Sequence, residues 1–435
     1  MCSHADLHKF STRYDGVLMS QYQETLHLEK VETEQNWTQH DTSWLLSLFG
    51  TAVGAGILFL PVNLGIGGFW PLIFLSILTY PITFITHRSL ARFMLSSKKN
   101  HADFTDVVGE HFGTKAGHLI STLYFLSIFP ILLIYGVGIT NTVDSFIVHQ
   151  LGLASPPRAI LSFCLIFGFM TLILCGEKMV LRTFAAMVYP LTAILGLLSF
   201  YLIPNWKLPN IDYPSMGDFL HTTWLAVPVI IFSFSHAAVI STFVQAQKRQ
   251  YPDQATAKSE LILRNTNALL VSFVLLFVFS CVFSLSPEQL IEAKAQNVSV
   301  LSYLANITDN PFIETLGPFI AFIAITSSFL GHFLGARESF NGLWCKFSPK
   351  TEKYADNIGI VCMFFVIWFA AILNPSILGL METLSGPVIA MILCVMPVIA
   401  IYKVEQLKTY RNKKSTFFTF FIGVLAVSAL LFSRI

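Results

Sequence analysis

Apolar blocks of about 18 to 25 residues, separated by short polar segments, recur along this chain from residue 43 to its end. A helix needs about 20 residues to cross roughly 30 Å of hydrocarbon. Only helices and closed barrels satisfy every backbone group there, and blocks this long are helical. The runs predict spans at 43–67, 69–92, 118–143, 158–175, 180–203, 222–246, 265–285, 315–337, 357–373, 377–402 and 416–433. With 54% hydrophobic and 12% charged residues, an ordinary water-soluble core cannot hide that much apolar surface, so the lipid bilayer is an expected partner. The expected fold class is an all-α polytopic membrane protein with eleven spans. A net charge of +2 gives no field that would draw a nucleic acid.

Placement of the basic residues orients the spans. With the N-terminus in the cytoplasm, 23 of the 27 Lys and Arg residues fall on cytoplasmic segments, and only Arg158, Lys207, Lys294 and Arg434 fall outside. An odd number of spans then puts the C-terminus on the external face. The first forty residues lack a short apolar core with a cleavage site, so the first span is expected to act as the insertion signal. His4, His8 and His27 are irregularly spaced in that polar tail and read as solvated side chains. Seven cysteines without a CxxC pair read as packing residues. No metal site, cofactor motif, HExxH, GxSxG or phosphate loop is present, which argues against an enzyme. Asp103 to His118 reads as an amphipathic interfacial helix.

Two spans are interrupted. Span 1 carries Gly50-Thr-Ala-Val-Gly54-Ala-Gly56 at its midpoint, and span 6 carries Pro228 and the polar insertion Ser233-Phe234-Ser235-His236 at matching depth. Glycine weakens a helix and bares its backbone; a small-residue packing stripe is the alternative for span 1 alone. Two breaks at corresponding positions five spans apart point to an inverted-repeat secondary transporter. Freed amides suit a carboxylate, and freed carbonyls suit an ammonium group or a cation. The expected organisation is a polar tail (1–42), a first five-helix repeat (43–203), an external loop (204–221), a second repeat (222–402), and a cytoplasmic loop with an extra span (403–435).

At these residues the chain resembles the hydroxy and aromatic amino acid permease family, in its bacterial serine/threonine branch. The resemblance runs from about Trp44 to Lys403. It rests on GTAVGAGILFLP (50–61), FPILLIYGVGITNTVDSF (129–146), PPRAILS (156–162), WLAVPVIIFSFSHAAVIS (224–241), NVSVLSYLAN (297–306), FLGHFLGARESFNG (329–342) and NPSILGLMETLSGPVIAMIL (374–393). It implies a leucine-transporter-like fold of five plus five inverted spans plus one, in the inner membrane of a bacterium. It also implies import of a small amino acid with a coupled cation, by default a proton. Some serine permeases read ITKSFLGH in span 8, where this chain has Ile325-Thr326-Ser327-Ser328 before Phe329-Leu-Gly-His332. A lysine there can replace a sodium ion with its own ammonium, and Ser327 takes its place.

For substrate, the candidates are Thr51, Gly54, Ala55, Gly56, Tyr124, Ser233, Phe234, Ser235 and His236. For a coupling ion they are Ala52, Ala55, Thr326, Ser327, Ser328 and Glu382. In the implied fold span 8 faces the break of span 1, so its hydroxyls and the carbonyls near Ala52 to Ala55 can ligate sodium. Hydroxyls back-bonded to their own helix are the competing reading, and three adjacent ones cannot all face one cavity. Glu382, about 10 Å along span 10 from its outer end, fits a proton carrier or an external gate. Tyr124 and Tyr135 share a face of span 3; interhelical packing is their alternative. His332 lies one turn beyond Ser328 and fits a structural hydrogen bond equally well. An aromatic amino acid permease, or a transporter-like sensor using the tail as its output, are the competing functions.

Overall fold

A computed structural model describes residues 36–175, 177–207 and 211–432. The tail histidines His4, His8 and His27, and Arg434, lie outside these residues. Every regular element among them is helical. In chain order these are α1 (Gln39–Ala52), α2 (Ala55–Ile66), α3 (Phe69–Leu95), α4 (Phe104–Phe112), α5 (Thr114–Ser145), α6 (Arg158–Leu174), α7 (Glu177–Leu202) and α8 (Met216–Ser233). There follow α9 (Ile240–Gln250), α10 (Ala255–Ser284), α11 (Pro287–Gln296), α12 (Val300–Ile307), α13 (Pro311–Phe347), α14 (Ala355–Leu373), α15 (Ile377–Lys403) and α16 (Lys414–Phe432). Among the described residues, eight helices are long and apolar enough to cross a membrane, and the pair α1 and α2, bent by 55°, makes a ninth if it is one span. The helices α6 and α16 are apolar but shorter, so length and composition alone do not reach eleven.

Several elements differ from the sequence expectation, among them α10, which begins at Ala255 and not at 265. The interfacial helix stops at Phe112, because Gly113 takes φ 78°, a left-handed value that glycine alone adopts without strain; residues 114 to 118 start α5 instead. Helix α13 runs well past 337, its polar continuation held by Arg337, which grips Asp356 of α14 through both carboxylate oxygens. The segment between α10 and α13, read as a loop, forms α11 and α12. Each is too short and too polar or amphipathic to register as a span, and side-chain caps from Ser286 and Ser299 start them.

Most of the apolar stretch of α8–α9 and of α13 is buried inside the protein, whereas α14 leaves most of its own open. The former are the core and the latter is periphery. Helix α13 packs most extensively on α5. One end of the bundle is tied by three asparagines. Asn141 of α5 donates to the carbonyl of Asn297 at 2.8 Å and to Asn374 Oδ1 at 3.1 Å, and Asn297 Oδ1 accepts from the Ile377 amide at 2.9 Å. Asn297 and Asn374 both have positive φ and end α11 and α14, a conformation asparagine tolerates better than most residues.

The opposite end is tied by a buried ion pair. Lys258 of α10 donates to Asp41 Oδ2 at 2.9 Å and to the carbonyl of Asn36 at 2.7 Å, with side chains 2% and 0% exposed for Lys258 and Asp41. Tyr251 donates to Asp41 Oδ1 at 2.8 Å and meets Thr38, whose hydroxyl caps α1. The start of α1 is thereby fixed to the start of α10. Removing one member of a buried pair leaves the other charge uncompensated. Asp41→Ala is expected to cost about 3–5 kcal/mol, measured as thermal unfolding in detergent, and the double change Asp41→Leu with Lys258→Met to recover most of it. Equal losses in both variants would contradict this.

Candidate functional site

The break between α1 and α2 follows from its glycines. Val53 and Gly54 leave helical geometry, with ψ 94° and −155°, and Gly54 has no side chain with which to cap α2. The first amides of α2 and the last carbonyls of α1 are therefore without their usual intrahelical partners. Side chains from other helices fill part of the gap. Ser328 of α13 donates to the Thr51 carbonyl at 2.7 Å, and its oxygen meets the Tyr135 hydroxyl of α5 at 2.8 Å. A Cβ on Gly54 would overlap the Ser328 side chain and lie 2.9 Å from the Tyr135 hydroxyl.

The second break lies between α8 and α9, over residues 234 to 236, followed by the single tight turn Ala237–Val239. The Ser233 hydroxyl donates to the Gly56 carbonyl at 3.0 Å, so the two breaks touch each other directly. The His236 amide donates to Nε2 of His87, on α3, at 3.1 Å. The two imidazoles stack with centroids 3.7 Å apart. The Ser235 hydroxyl accepts from the Ala237 amide at 3.4 Å, and Phe234 is buried with its carbonyl 3.2 Å from His236 Nδ1.

Thr51, Ala52, Gly54, Ala55, Gly56, Ser233, Phe234, Ser235, His236 and Ser328 thus come together, buried, where the broken helices meet. Thr51 contributes its carbonyl, since its hydroxyl bonds back to Ser47 at 2.8 Å. Thr326 and Ser327 turn into their own helix, to Phe322 and Ala324 at 2.7 and 3.1 Å, leaving Ser328 as the one of the three that reaches the break. Tyr124 lies away from it: eleven residues is about 16 Å of helix, and its ring stacks on Phe104 of α4 at 3.8 Å. Tyr135 is the tyrosine at the break. Glu382 is also elsewhere, accepting from Asn63 of α2 at 3.0 Å with Lys294 of α11 at 4.0 Å. His332 Nδ1 faces the Ser328 carbonyl at 2.9 Å, and its ring packs edge-on to Tyr135.

His87 carries no sequence signal beyond being a histidine late in an apolar run. Arg88 beside it makes the pair look like the beginning of a basic loop. Gly56 is the contact that both breaks need, because a Cβ there would sit 2.8 Å from Ser233 Cα and 2.9 Å from the Phe232 ring. Gly56→Ala is expected to destabilise by about 1–3 kcal/mol through overpacking. Ser233→Ala, which removes one hydrogen bond, is expected to cost about 1 kcal/mol. Thermal unfolding of both variants checks the order; a harmless Gly56→Ala would mean that the breaks do not touch.

Comparison with known proteins agrees with this geometry. The tryptophan/tyrosine permease family profile matches residues 43–433. The serine transporter SdaC of Escherichia coli strain K12 is 47% identical over 422 residues, covering 94% of this chain and 98% of that protein. The threonine/serine transporter TdcC of Yersinia enterocolitica is 37% identical over 425 residues, covering 91% and 96%. Among solved structures, MhsT in complex with L-phenylalanine superposes with a TM-score of 0.60 at 15% identity, over 90% of this chain and 97% of that one. The fold is leucine-transporter-like. With the family profile spanning nearly all of the membrane part, and the two broken helices meeting at its centre, this chain belongs to the tryptophan/tyrosine permease family.

Proposed function

We propose that this chain is a secondary active transporter that imports a small neutral amino acid, serine foremost and threonine next, together with a proton. The observation that carries the reading is the junction of the two breaks, where the Ser233 hydroxyl meets the Gly56 carbonyl. A zwitterion needs donors for its carboxylate and acceptors for its ammonium group within a few ångströms, in a place that water does not fill. The uncapped start of α2 supplies amides with partial positive charge, and the ends of α1 and α8 supply carbonyls. Irregular backbone at this depth is tolerated where it lines a cavity. The relatives named as serine and threonine/serine transporters support the substrate class.

The proton is the coupling ion that the family resemblance implies. Where some serine permeases carry a lysine in span 8, this chain has Ser327. The Thr326 and Ser327 hydroxyls donate to their own helix and Ser328 donates to the Thr51 carbonyl, and all four oxygens keep lone pairs of the kind a sodium ion takes. Sodium is therefore the second reading, and replacing it by choline separates the two.

In this reading the chain crosses a bacterial inner membrane eleven times, with its N-terminus cytoplasmic and its C-terminus external, as the loop charges indicate. The two five-helix repeats, 43–203 and 222–402, face each other across the breaks. Glu382, held by Asn63 and near Lys294, serves as an external gate.

Uptake of labelled serine, threonine, tryptophan and tyrosine into proteoliposomes tests the reading. Serine is expected to accumulate under an inward proton gradient and to stop accumulating when a protonophore is added at clamped membrane potential. No gradient-driven accumulation of any of the four would refute transport. Replacing sodium by choline at fixed pH is expected to leave uptake unchanged; its collapse would restore sodium as the driving ion.

A further inference from the structure

The two stacked histidines at the second break differ in what their nitrogens have left to give. Nδ1 of His87 lies 2.8 Å from the Thr83 carbonyl; a carbonyl only accepts, so Nδ1 bears the hydrogen. Nε2 of His87 faces the His236 amide; an amide only donates, so Nε2 presents its lone pair. Both sites are used, and His87 is neutral while the break keeps this shape. Nδ1 of His236 faces the Phe234 carbonyl and bears a hydrogen by the same logic. Nε2 of His236 is then a lone pair, in a side chain that is fully buried, and among the described residues it has no hydrogen-bond partner. A buried acceptor left bare costs stability, and its persistence in the middle of the junction asks for a role.

We propose that Nε2 of His236 is the proton site of the transport cycle, and that His87 is the positioning residue that holds the stacked pair to a single proton. The proposal rests on the proton-coupled reading above. A proton drawn from external water forms an N–H bond with the free lone pair, giving an imidazolium whose Nδ1–H still donates to Phe234. Release returns that proton to cytoplasmic water and restores the lone pair. A second proton on His87 would have to displace the His236 amide from Nε2 and sit against a like charge at 3.7 Å, which a low-dielectric interior opposes. The imidazolium places positive charge at the junction where a substrate carboxylate would lie. Proton and amino acid therefore raise each other's affinity, which is the thermodynamic requirement of symport.

The surrounding groups leave this site to itself. Among the described residues, His332 of α13 is the titratable group besides His87 that acts electrostatically on His236, and its Nδ1 faces the Ser328 carbonyl. Tyr135 of α5 packs on His332 and bonds Ser328. Glu338 lies further along α13, where it accepts from Ser241 of α9 at 3.0 Å. Glu382 of α15 is held by Asn63 of α2.

Calorimetry of serine binding to the purified transporter, in two buffers of different ionisation enthalpy, tests the proposal. The wild-type protein is expected to take up about one proton per serine bound, and His236→Gln to bind more weakly with no proton uptake. Uptake of the same proton by His236→Gln, or none by the wild type, overturns it. His87→Gln keeps an acceptor for the His236 amide but loses the ring beneath the imidazolium. It is expected to retain the uptake of about one proton per serine while the pH midpoint of serine affinity shifts, because the ring stacked on the imidazole is gone; an unmoved midpoint removes the role given to His87. A second readout covers a His236→Gln protein that does not bind. In protein labelled with 15N at histidine, serine must convert one imidazole to its doubly protonated form, and the signal must persist in His332→Gln; no conversion overturns the proposal. A wild-type protein that binds no serine at all refutes the serine reading, and the proposal with it.

Discussion

A helix interrupted in the middle of a membrane releases backbone amides and carbonyls where no bulk water can receive them. Each of these groups costs several kcal/mol if left alone, and side chains from neighbouring helices around the two breaks meet some of them. Ser328 reaches across from α13 to the Thr51 carbonyl, Ser233 from one break to the Gly56 carbonyl of the other, and His87 from α3 to the His236 amide. The small residues follow from the same need. Gly54 and Gly56 are where other helices come so close that a Cβ would strike Ser328 or the backbone of Ser233.

The two breaks are served by different chemistry. At the first, the partners are hydroxyls, from Ser328 and Tyr135, that stay neutral across the biological pH range. At the second, the partners are imidazoles, side chains that can take up a proton at a ring nitrogen where a lone pair is free. A division of labour follows from the side chains alone: the first break is a fixed frame of dipoles, and the second can change its charge. Ser233 ties the Gly56 carbonyl to the second break, so in the proposal above the protonated site and the first break are joined by one hydrogen bond and not by the length of a helix.

The broad architecture was legible because lipid leaves a sequence few options. Apolar block length gave the helices, and the glycine cluster at 50–56 with the polar insertion at 233–236 gave the breaks. The parts that were not legible depend on side-chain direction. Thr326, Ser327 and Ser328 are identical in kind and adjacent in sequence, yet successive helical residues point about 100° apart, and only Ser328 reaches α1. Tyr124 and Tyr135 share a helical face, but they meet different neighbours, Phe104 for one and Ser328 for the other. His87 was invisible because a histidine late in an apolar run looks the same whether it faces lipid, a loop or a buried amide. Helices α11 and α12 escaped because hydropathy detects crossings and these helices do not cross.

The two ends of the bundle are closed by interactions of unequal quality, and that inequality bears on how alternating access can run. Asp41 and Lys258 are buried, 2.9 Å apart, with Tyr251 and the Thr38 amide also donating to Asp41 and the Asn36 carbonyl accepting from Lys258. Glu382 and Lys294 are 4.0 Å apart and 25% and 45% exposed, a regime in which an ion pair contributes about 0–1 kcal/mol. Separating the first pair would leave two buried charges uncompensated, whereas separating the second returns two side chains to water. In the orientation proposed from the loop charges, the weak pair faces outside and the strong one the cytoplasm. The outer end also carries the tie of Asn141, Asn297 and Asn374, but these are neutral hydrogen bonds whose partners water can replace, so parting that end uncovers no unpaired buried charge, whereas parting the inner end does. An importer that met its substrate from outside would gain from that order, since the cavity admits the amino acid before the path to the cytoplasm can form.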